Sequence, residues 1–369
     1  MRPSRRPAKA TRSLERNSTM QPIDWRFRSS SLDSIDRMGQ PVHCTRLQLV
    51  PLAARRFVGT RLHAETRNFE VSVAEFSGNV RCNGVMSTER VTLGLVVAST
   101  DRISQWGREI HPGNVILWPP GSDYDAIHRG AATYAMMSLA PSDLMAALGG
   151  EQQADASAFL AQKRVLCAAS RLEAMERAAR LVGTILGLFR ARRDLSPQAA
   201  DFWRRSIIEM FVSIVLNAVP CVHANPVSCD TRLVQDVERY LDERRERLVH
   251  LSEVCRALRV SRRSLHRAFE EVLGVGPTTF FRNKRLCDAR TALQCPAGRE
   301  DVSVTRIALE HGFAELGDFS RQYRELFGEL PSQTLRNSRW KDDGLPSTVD
   351  AALLFDAVRP SHRSAAPRQ

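Results

Sequence analysis

The sequence predicts an α+β protein: a β-rich N-terminal domain with a helical extension, followed by an all-α domain of two similar units joined by a helix. Three observations predict it. Short apolar runs recur between Leu47 and Leu139, broken by Gly, Pro, Asn and Asp. After Pro141 the apolar residues adopt a helical period. Near the C-terminus, Phe269-Glu-Glu-Val-Leu-Gly274-Val-Gly-Pro277-Thr278 reappears 54 residues later as Tyr323-Arg-Glu-Leu-Phe-Gly328-Glu-Leu-Pro331-Ser332.

Length and composition fit two folded domains with loose ends. A chain of 369 residues exceeds what one core organises, and 43% hydrophobic with 25% charged residues is ordinary globular usage. The net charge of +12 favours an anionic partner, but much of it lies at the start, where residues 1–28 hold eight basic against two acidic side chains. Residues 1–40 are therefore expected to be a disordered basic leader. No apolar segment follows the leader and no later run of about 18 apolar residues could span a bilayer, so no membrane association and a cytoplasmic location are expected. The eight cysteines show no metal-ligand spacing, which argues against zinc and a disulfide framework and for reduced thiols.

The β-rich domain is expected over residues 41–219. The runs LQLVPL, FEVSVAEF, RVTLGLVVAS, NVILWPP and TYAMMSL read as strands of a small sandwich or barrel. Leu172, Met175, Ala179, Val182, Ile185 and Phe189 mark one face of a first helix, and Phe202, Ile207, Ile208, Phe211 and Val215 that of a second. These faces supply core or, with surplus apolar surface, a homodimer seam. Pro220 and Pro226 place an interdomain linker at 220–230. The second domain covers 231–339, and 340–369 reads as a mobile tail.

In each copy of the repeat an aromatic closes the apolar face of a helix, Gly supplies a left-handed cap, and Pro opens the next segment. Upstream of the first copy, Leu251, Val254, Cys255 and Leu258 share a helical face. Arg259-Val260 forms a turn, and Ser261 caps a helix with Leu265, Ala268, Phe269 and Val272 inward. Upstream of the second, Val304, Ile307, Ala308 and His311 form the face, Gly312-Phe313 the turn, and Phe319, Tyr323 and Leu326 the inner stripe. Both read as helix-turn-helix units. Thr278 to Gln294 forms the connecting helix, about 25 Å long, which could set two recognition helices roughly one duplex turn apart.

Residues 230–339 resemble the DNA-binding domain of the AraC/XylS regulators. The resemblance lies in the pattern L-x-x-V-x-x-x-L-x-V-S-x-x-x-L-x-R-x-F at Leu251 to Phe269 and G-x-x-P at Gly274 to Pro277. It continues as I-A-x-x-x-G-F at Ile307 to Phe313 and D-F-S-R-x-Y-R-E-x-F-G-x-x-P at Asp318 to Pro331. Cys255 stands where alanine is usual, and the second turn, Ala314-Glu315-Leu316-Gly317, is less polar than its counterparts. Helical geometry turns Arg262, Arg263, His266, Arg267 and Glu270 outward, and the resemblance implies groove reading by Arg263, His266 and Arg267, with Arg262 on base or phosphate. In the second unit Leu316, Gly317, Ser320 and Arg321 face out, and Leu316 offers only a thymine-methyl contact.

The segment from His111 to Gly121 resembles a turn and strand of the cupin-like sensor domains of such regulators. It implies a barrel that binds a small effector or holds a dimer. Trp106, Trp118, Tyr124 and Tyr134 either line an effector pocket or pack as core. The expected function is sequence-specific transcription regulation, with promoter DNA and RNA polymerase as partners and no cofactor. The alternatives are a sequence-tolerant architectural protein and a cupin metalloenzyme, for which His63, His111 and His128 lack H-x-H spacing. Pro220-Cys221-Val222-His223 faintly resembles the reactive motif of alkyl-acceptor repair proteins, although a free thiol is the better reading of Cys221.

Overall fold

A computed structural model describes residues 25–32, 35–38, 42–53, 57–149, 158–168, 170–193, 195–221, 227–244, 247–295 and 303–339. Within these residues the chain builds four layers: a helical hairpin, a large antiparallel sheet, a smaller antiparallel sheet, and the first of two helical units.

The strands are β1 (Arg26–Ser31), β2 (Cys44–Pro51), β3 (Val58–Glu65), β4 (Phe69–Ser77), β5 (Val80–Met86), β6 (Val91–Ser99) and β7 (Ile103–Gln105). They continue with β8 (Arg108–Ile110), β9 (Val115–Trp118), β10 (Asp123–His128), β11 (Ala131–Leu139), β12 (Arg164–Ala168) and β13 (Ala218–Pro220). The larger sheet runs β1-β3-β4-β11-β6-β9-β12-β13 and the smaller β2-β5-β10-β7-β8. The side-chain period of two decides which residues meet. In β6, Leu93, Leu95 and Val97 face the helical hairpin, whereas Val96 faces the space between the sheets, so both faces are buried and the strand reads as one apolar run. Gly94 lies on the inner face, where a Cβ would come within 2.6 Å of the Trp118 ring. The indole can lie against β6 only because no side chain stands there.

The helices before the C-terminal domain are α1 (Ile35–Met38), α2 (Pro141–Ala147), α3 (Arg171–Ala191) and α4 (Pro197–Leu216). Ser170 and Ser196 cap α3 and α4 by accepting from the backbone N–H groups of Glu173 and Ala199. The hairpin buries Leu181, Ile185, Leu188, Ile207 and Phe211 against the large sheet. This corrects the predicted faces in part: Leu172 and Met175 on α3 and Phe202 on α4 are exposed, at 70%, 47% and 65%. The expected stripe was wider than the surface the sheet covers.

The C-terminal domain consists of α5 (Cys229–Asp242), α6 (Leu251–Ala257), α7 (Arg262–Leu273), α8 (Pro277–Gln294), α9 (Val304–Glu310), α10 (Leu316–Phe327) and α11 (Pro331–Arg339). Its first unit shares a core with the small sheet: Val50, Leu52 and Ile127 pack with Val234, Val237, Phe269 and Phe280. The second unit has its own core of Leu286, Ala289, Ile307, Phe313, Phe319 and Tyr323.

Buried polar groups clamp the first unit to the sheet. Arg81 on β5 donates to both carboxylate oxygens of Glu238 on α5, at 2.8 and 2.6 Å, and to Asp125 on β10. Gln235 donates to the second Asp125 oxygen at 2.8 Å, and Asn283 to the Pro51 carbonyl at 2.9 Å. Burial alone would depress the Arg81 guanidinium, but the Glu238 and Asp125 carboxylates outweigh it and hold Arg81 above its ordinary range.

Three further expectations need correction. Within the presumed leader of residues 1–40, 26–31 form β1, paired with β3 from Arg26↔Glu65 to Ser31↔Thr60, and Ile35–Met38 form α1; residues 1–24, 33–34 and 39–40 lie outside the described residues. The linker assigned to 220–230 is shorter than expected, because Pro220 ends β13 and Cys229 begins α5, while 222–226 and the tail from 340 lie outside the described residues. Cys221 is not a free thiol, since it is disulfide-bonded to Cys167. Among the described residues, no helix is long and apolar enough to cross a membrane.

Two interior histidines make stability acid-sensitive. His43 lies between the Ser138 and Ser72 hydroxyls at 2.6 and 2.8 Å, and His128 between Tyr134 and Tyr124 at 2.8 and 3.2 Å. Burial pushes each imidazole from 6.5 down to about 3. The unfolded chain takes up these protons below about pH 6.5 and the folded chain does not, so the stabilisation is complete above that pH and is lost as pH falls toward 3. Each histidine should contribute a slope of up to about 1.4 kcal/mol per pH unit. Urea unfolding between pH 7 and 4 should show this, and His43→Gln or His128→Gln should flatten it. An unchanged slope in both variants would show that other groups carry the acid response.

Candidate nucleic-acid interface

The first helix-turn-helix forms because its corner is chemically specified. Helix α6 is capped by Leu258, Arg259 takes a left-handed conformation with φ 54°, and Ser261 caps α7 by accepting from the Ser264 N–H at 3.0 Å. Helix α7 ends at Gly274, φ 72°, and Pro277 opens α8. Leu265, Ala268, Phe269 and Leu273 are buried, Val272 is half-buried, and Arg262, Arg263, His266, Arg267 and Glu270 are exposed. The sequence-predicted residues of the first unit thus share one solvent-facing surface.

That surface has its own electrostatic order. Arg262 and Arg263 stand at the start of α7, where no acidic side chain lies in the first turn. One turn on, the Arg267 guanidinium lies 3.3 Å from Asp230 at the start of α5, and the His266 ring lies 3.9 Å from Glu270. The Asp230 contact was not legible in the sequence, because it joins residues 37 apart on different helices.

The second unit repeats the frame with different surface chemistry. Ser303 caps α9 through the Arg306 N–H, Gly312 makes the turn at φ 76°, and Gly328 caps α10 at φ 77°. The turn needs glycine at 312 for its left-handed backbone, since the nearest neighbour of an added Cβ, the end of the exposed Leu248 side chain, can move aside. Leu316, Gly317 and Arg321 are exposed and Ser320 half-buried. Arg321 is engaged on its own helix by Asp318 at 2.8 Å and Glu325 at 3.1 Å, and these hydrogen bonds raise its pKa above the ordinary range. Beneath the surface, buried Arg290 on α8 meets the Tyr323 hydroxyl at 3.1 Å and Glu329 at 2.8 Å, beside the Phe327 ring. This polar core ties the connecting helix to the second recognition helix, and the apolar pattern gave no sign of it.

The four aromatics considered for an effector pocket come together between the sheets. Trp118 stacks on Tyr124 with centroids 5.6 Å apart and meets Trp106 edge-on at 6.0 Å. Tyr134 and Tyr124 reach the two ring nitrogens of His128. Among the described residues, Trp118 Nε1 and Gln105 Nε2 are buried without a hydrogen-bond partner. The three histidines considered for a metal do not cluster. His63 instead neighbours His43 and Glu70, and among the described residues no group of three His, Cys, Asp or Glu is arranged to hold a metal ion.

Comparison with known proteins bears on residues 254–337, which match the model of the helix-turn-helix domain family. The chain is 37% identical over 120 residues to XylDLEGF operon transcriptional activator 2 of Pseudomonas putida, covering 32% of this chain and 72% of that protein. It is 38% identical over 103 residues to the XylDLEGF operon transcriptional activator of the same organism, covering 28% of this chain and 32% of the relative. The match therefore spans about a third of that activator's length. A crystal structure of a probable AraC family transcriptional regulator from Rhodopseudomonas palustris CGA009 is 34% identical, covering 29% of this chain and 97% of that one, with a TM-score of 0.27.

Proposed function

The chain belongs to the AraC/XylS family of transcription regulators, and from that premise we propose that it is a sequence-specific, effector-responsive activator whose α7 and α10 enter successive major grooves of promoter DNA. The observation that carries this reading is the exposed surface of Arg262, Arg263, His266 and Arg267 on a capped helix, repeated on an equivalent helix at Leu316, Gly317, Ser320 and Arg321. Arginine reads guanine by paired bonds to O6 and N7, and Leu316 meets a thymine methyl. RNA polymerase is the partner through which such a protein acts, and the cytoplasm is where it acts. Exposed Leu172 and Met175 on α3 support a paired, dimeric form.

The effector belongs between the sheets, against Trp106, Trp118, Tyr124 and Tyr134. The unpartnered donors Trp118 Nε1 and Gln105 Nε2 support this, because a small molecule carrying a carbonyl or carboxylate would satisfy them.

Genome-wide footprinting of the tagged protein, followed by binding to recovered sites at two salt concentrations, tests the function. A few sharp sites that keep their preference over random DNA as salt rises are expected. Diffuse occupancy abolished by salt would establish the architectural reading instead.

Asp230 tunes the same surface. Asp230→Asn removes an anion beside Arg267, and binding to random DNA should tighten by a factor of about two to five, in line with the ~0.5–1 kcal/mol of an exposed pair. Fluorescence anisotropy at low salt measures it; weaker binding would show that Asp230 supports the DNA-facing geometry instead.

A further inference from the structure

The pairing of Cys167 with Cys221 is a feature of the fold that the DNA-binding surface does not use, although Cys221 packs in part against the core between the sheets. Cys167 lies on β12 and Cys221 directly follows β13, at the outermost edge of the large sheet. The strands pair antiparallel, with Cys167 opposite Val219 and the Cys221 N–H donating to the Val165 carbonyl at 2.9 Å. The two cysteines are therefore diagonal neighbours on one face, and their Cα separation of 5.2 Å suits a disulfide without backbone movement.

This placement is unlike that of a buried structural staple. Both cysteines are half-exposed. Strand β13 is three residues long, pairs among the described residues with β12 alone, and contains Pro220, which has no N–H to donate. The loop enclosed by the bond contains both helices of the hairpin, and the bond sits where the chain leaves the barrel for α5. With the bond closed, β13 is tied to β12 covalently; with it open, the β12–β13 backbone pairing and the packing of Ala218 against the core are what hold the strand. Of the other cysteines, burial pushes Cys44 up to about 12 and Cys82 higher still, so neither supplies a reactive thiolate near neutral pH. Cys229 and Cys295 are exposed free thiols, and single glutathione adducts are expected there in place of an internal bond.

We infer that Cys167 and Cys221 form a reversible thiol–disulfide site that responds to low-molecular-weight disulfides and fixes or frees the exit of the chain toward the DNA-binding domain. The inference rests on the reading of the chain as a DNA-binding regulator, because such a protein works where glutathione keeps ordinary thiols reduced and a disulfide is formed in response to change. In the closing reaction one thiolate attacks glutathione disulfide, giving a mixed disulfide and releasing one glutathione thiolate. The second cysteine thiolate attacks the protein sulfur of that mixed disulfide and releases the second. Two protein thiols are oxidised, one glutathione disulfide is reduced to two glutathione thiols, and the two protons pass to the leaving thiolates.

The test uses the full chain equilibrated in glutathione buffers from fully reduced to mostly oxidised, quenched by alkylation and read by peptide mass spectrometry. Cys167 and Cys221 should lose alkylation together in one transition, appear as a linked peptide pair, and return on adding excess reduced glutathione. Cys221→Ser should leave Cys167 carrying a single glutathione. Hydrogen exchange at 216–221 should be at least tenfold faster in the reduced protein. Independent glutathione adducts on the two cysteines, or a bond that survives excess reduced glutathione, would overturn the reversible site, and equal exchange in both forms would overturn its hold on the chain exit. These readouts contain no DNA, so loss of the regulator reading through failed footprinting remains distinguishable from loss of this site. DNA affinities of the oxidised and reduced forms that agree within a factor of two would overturn its regulatory use alone.

Discussion

Replacing Glu238 by alanine should lower the unfolding free energy by about 3 kcal/mol, more than any surface substitution in the chain. Arg81 is 3% exposed and Glu238 6%, so the variant leaves a buried guanidinium facing a gap. The expected loss is at the lower end of the about 3–5 kcal/mol range for a broken buried pair, because Asp125 still holds Nη1. Since Arg81 belongs to the barrel and Glu238 to α5, the damage should fall on docking: in a Trp340→Phe background, where Trp25, Trp106, Trp118 and Trp203 all report the N-terminal domain, urea unfolding followed by tryptophan fluorescence should separate from unfolding followed by circular dichroism, to which the C-terminal helices also contribute. The triple variant Arg81→Met, Asp125→Asn, Glu238→Leu, which removes all three charges together, should recover most of the loss, because a buried ion cluster contributes little beyond a well-packed apolar contact. A loss below about 1 kcal/mol in Glu238→Ala would mean that solvent reaches the clamp and the two domains are not held as one body.

The second large effect is expected at the DNA surface. Arg267→Ala should weaken binding to the cognate site by about 1–3 kcal/mol, roughly five- to 150-fold, and binding to random DNA far less. Arg267 is three-quarters exposed, and among the described residues its ion-pair contact is Asp230 at 3.3 Å, a pair weak enough to yield to a base. Arg321→Ala at the equivalent place in the second unit should cost less, since Asp318 and Glu325 already occupy its guanidinium and must be displaced first. Competition binding with cognate and scrambled duplexes measures both. Equal losses on the two duplexes would remove Arg267 from base reading and leave it a phosphate contact.

The C-terminal domain was legible because its determinants are local. The cap at Ser261, the glycines at 274, 312 and 328, and the inward stripe of Leu265, Ala268 and Phe269 all act within one helix or one turn, where a residue's neighbours are known from the sequence alone. The five apolar runs noted in the N-terminal part became β2, β4, β6, β9 and β11. Shorter or more polar strands such as β1, β5, β7 and β10 escaped, since a strand of the type RFRSSS is stabilised by the partner it pairs with and not by its own pattern.

The sequence by itself determined the repeated helical unit, its caps and turns, and which side chains of α7 and α10 point away from their own cores, because helical geometry sets the outward face once the inward one is known. Only the tertiary structure decided what meets across long separations. It chose the inner half of the α3 stripe and left Leu172 outside, set Asp230 beside Arg267, joined Cys167 to Cys221 across 54 residues, and seated Arg81 between Asp125 and Glu238, 157 residues away. None of these pairings has a spacing signature, since each depends on how sheets and helices stack after they form. The physical reason is range: caps, turns and amphipathic faces are settled by interactions within a few residues, whereas burial of a charge or closure of a disulfide is settled by whichever distant surface packing delivers.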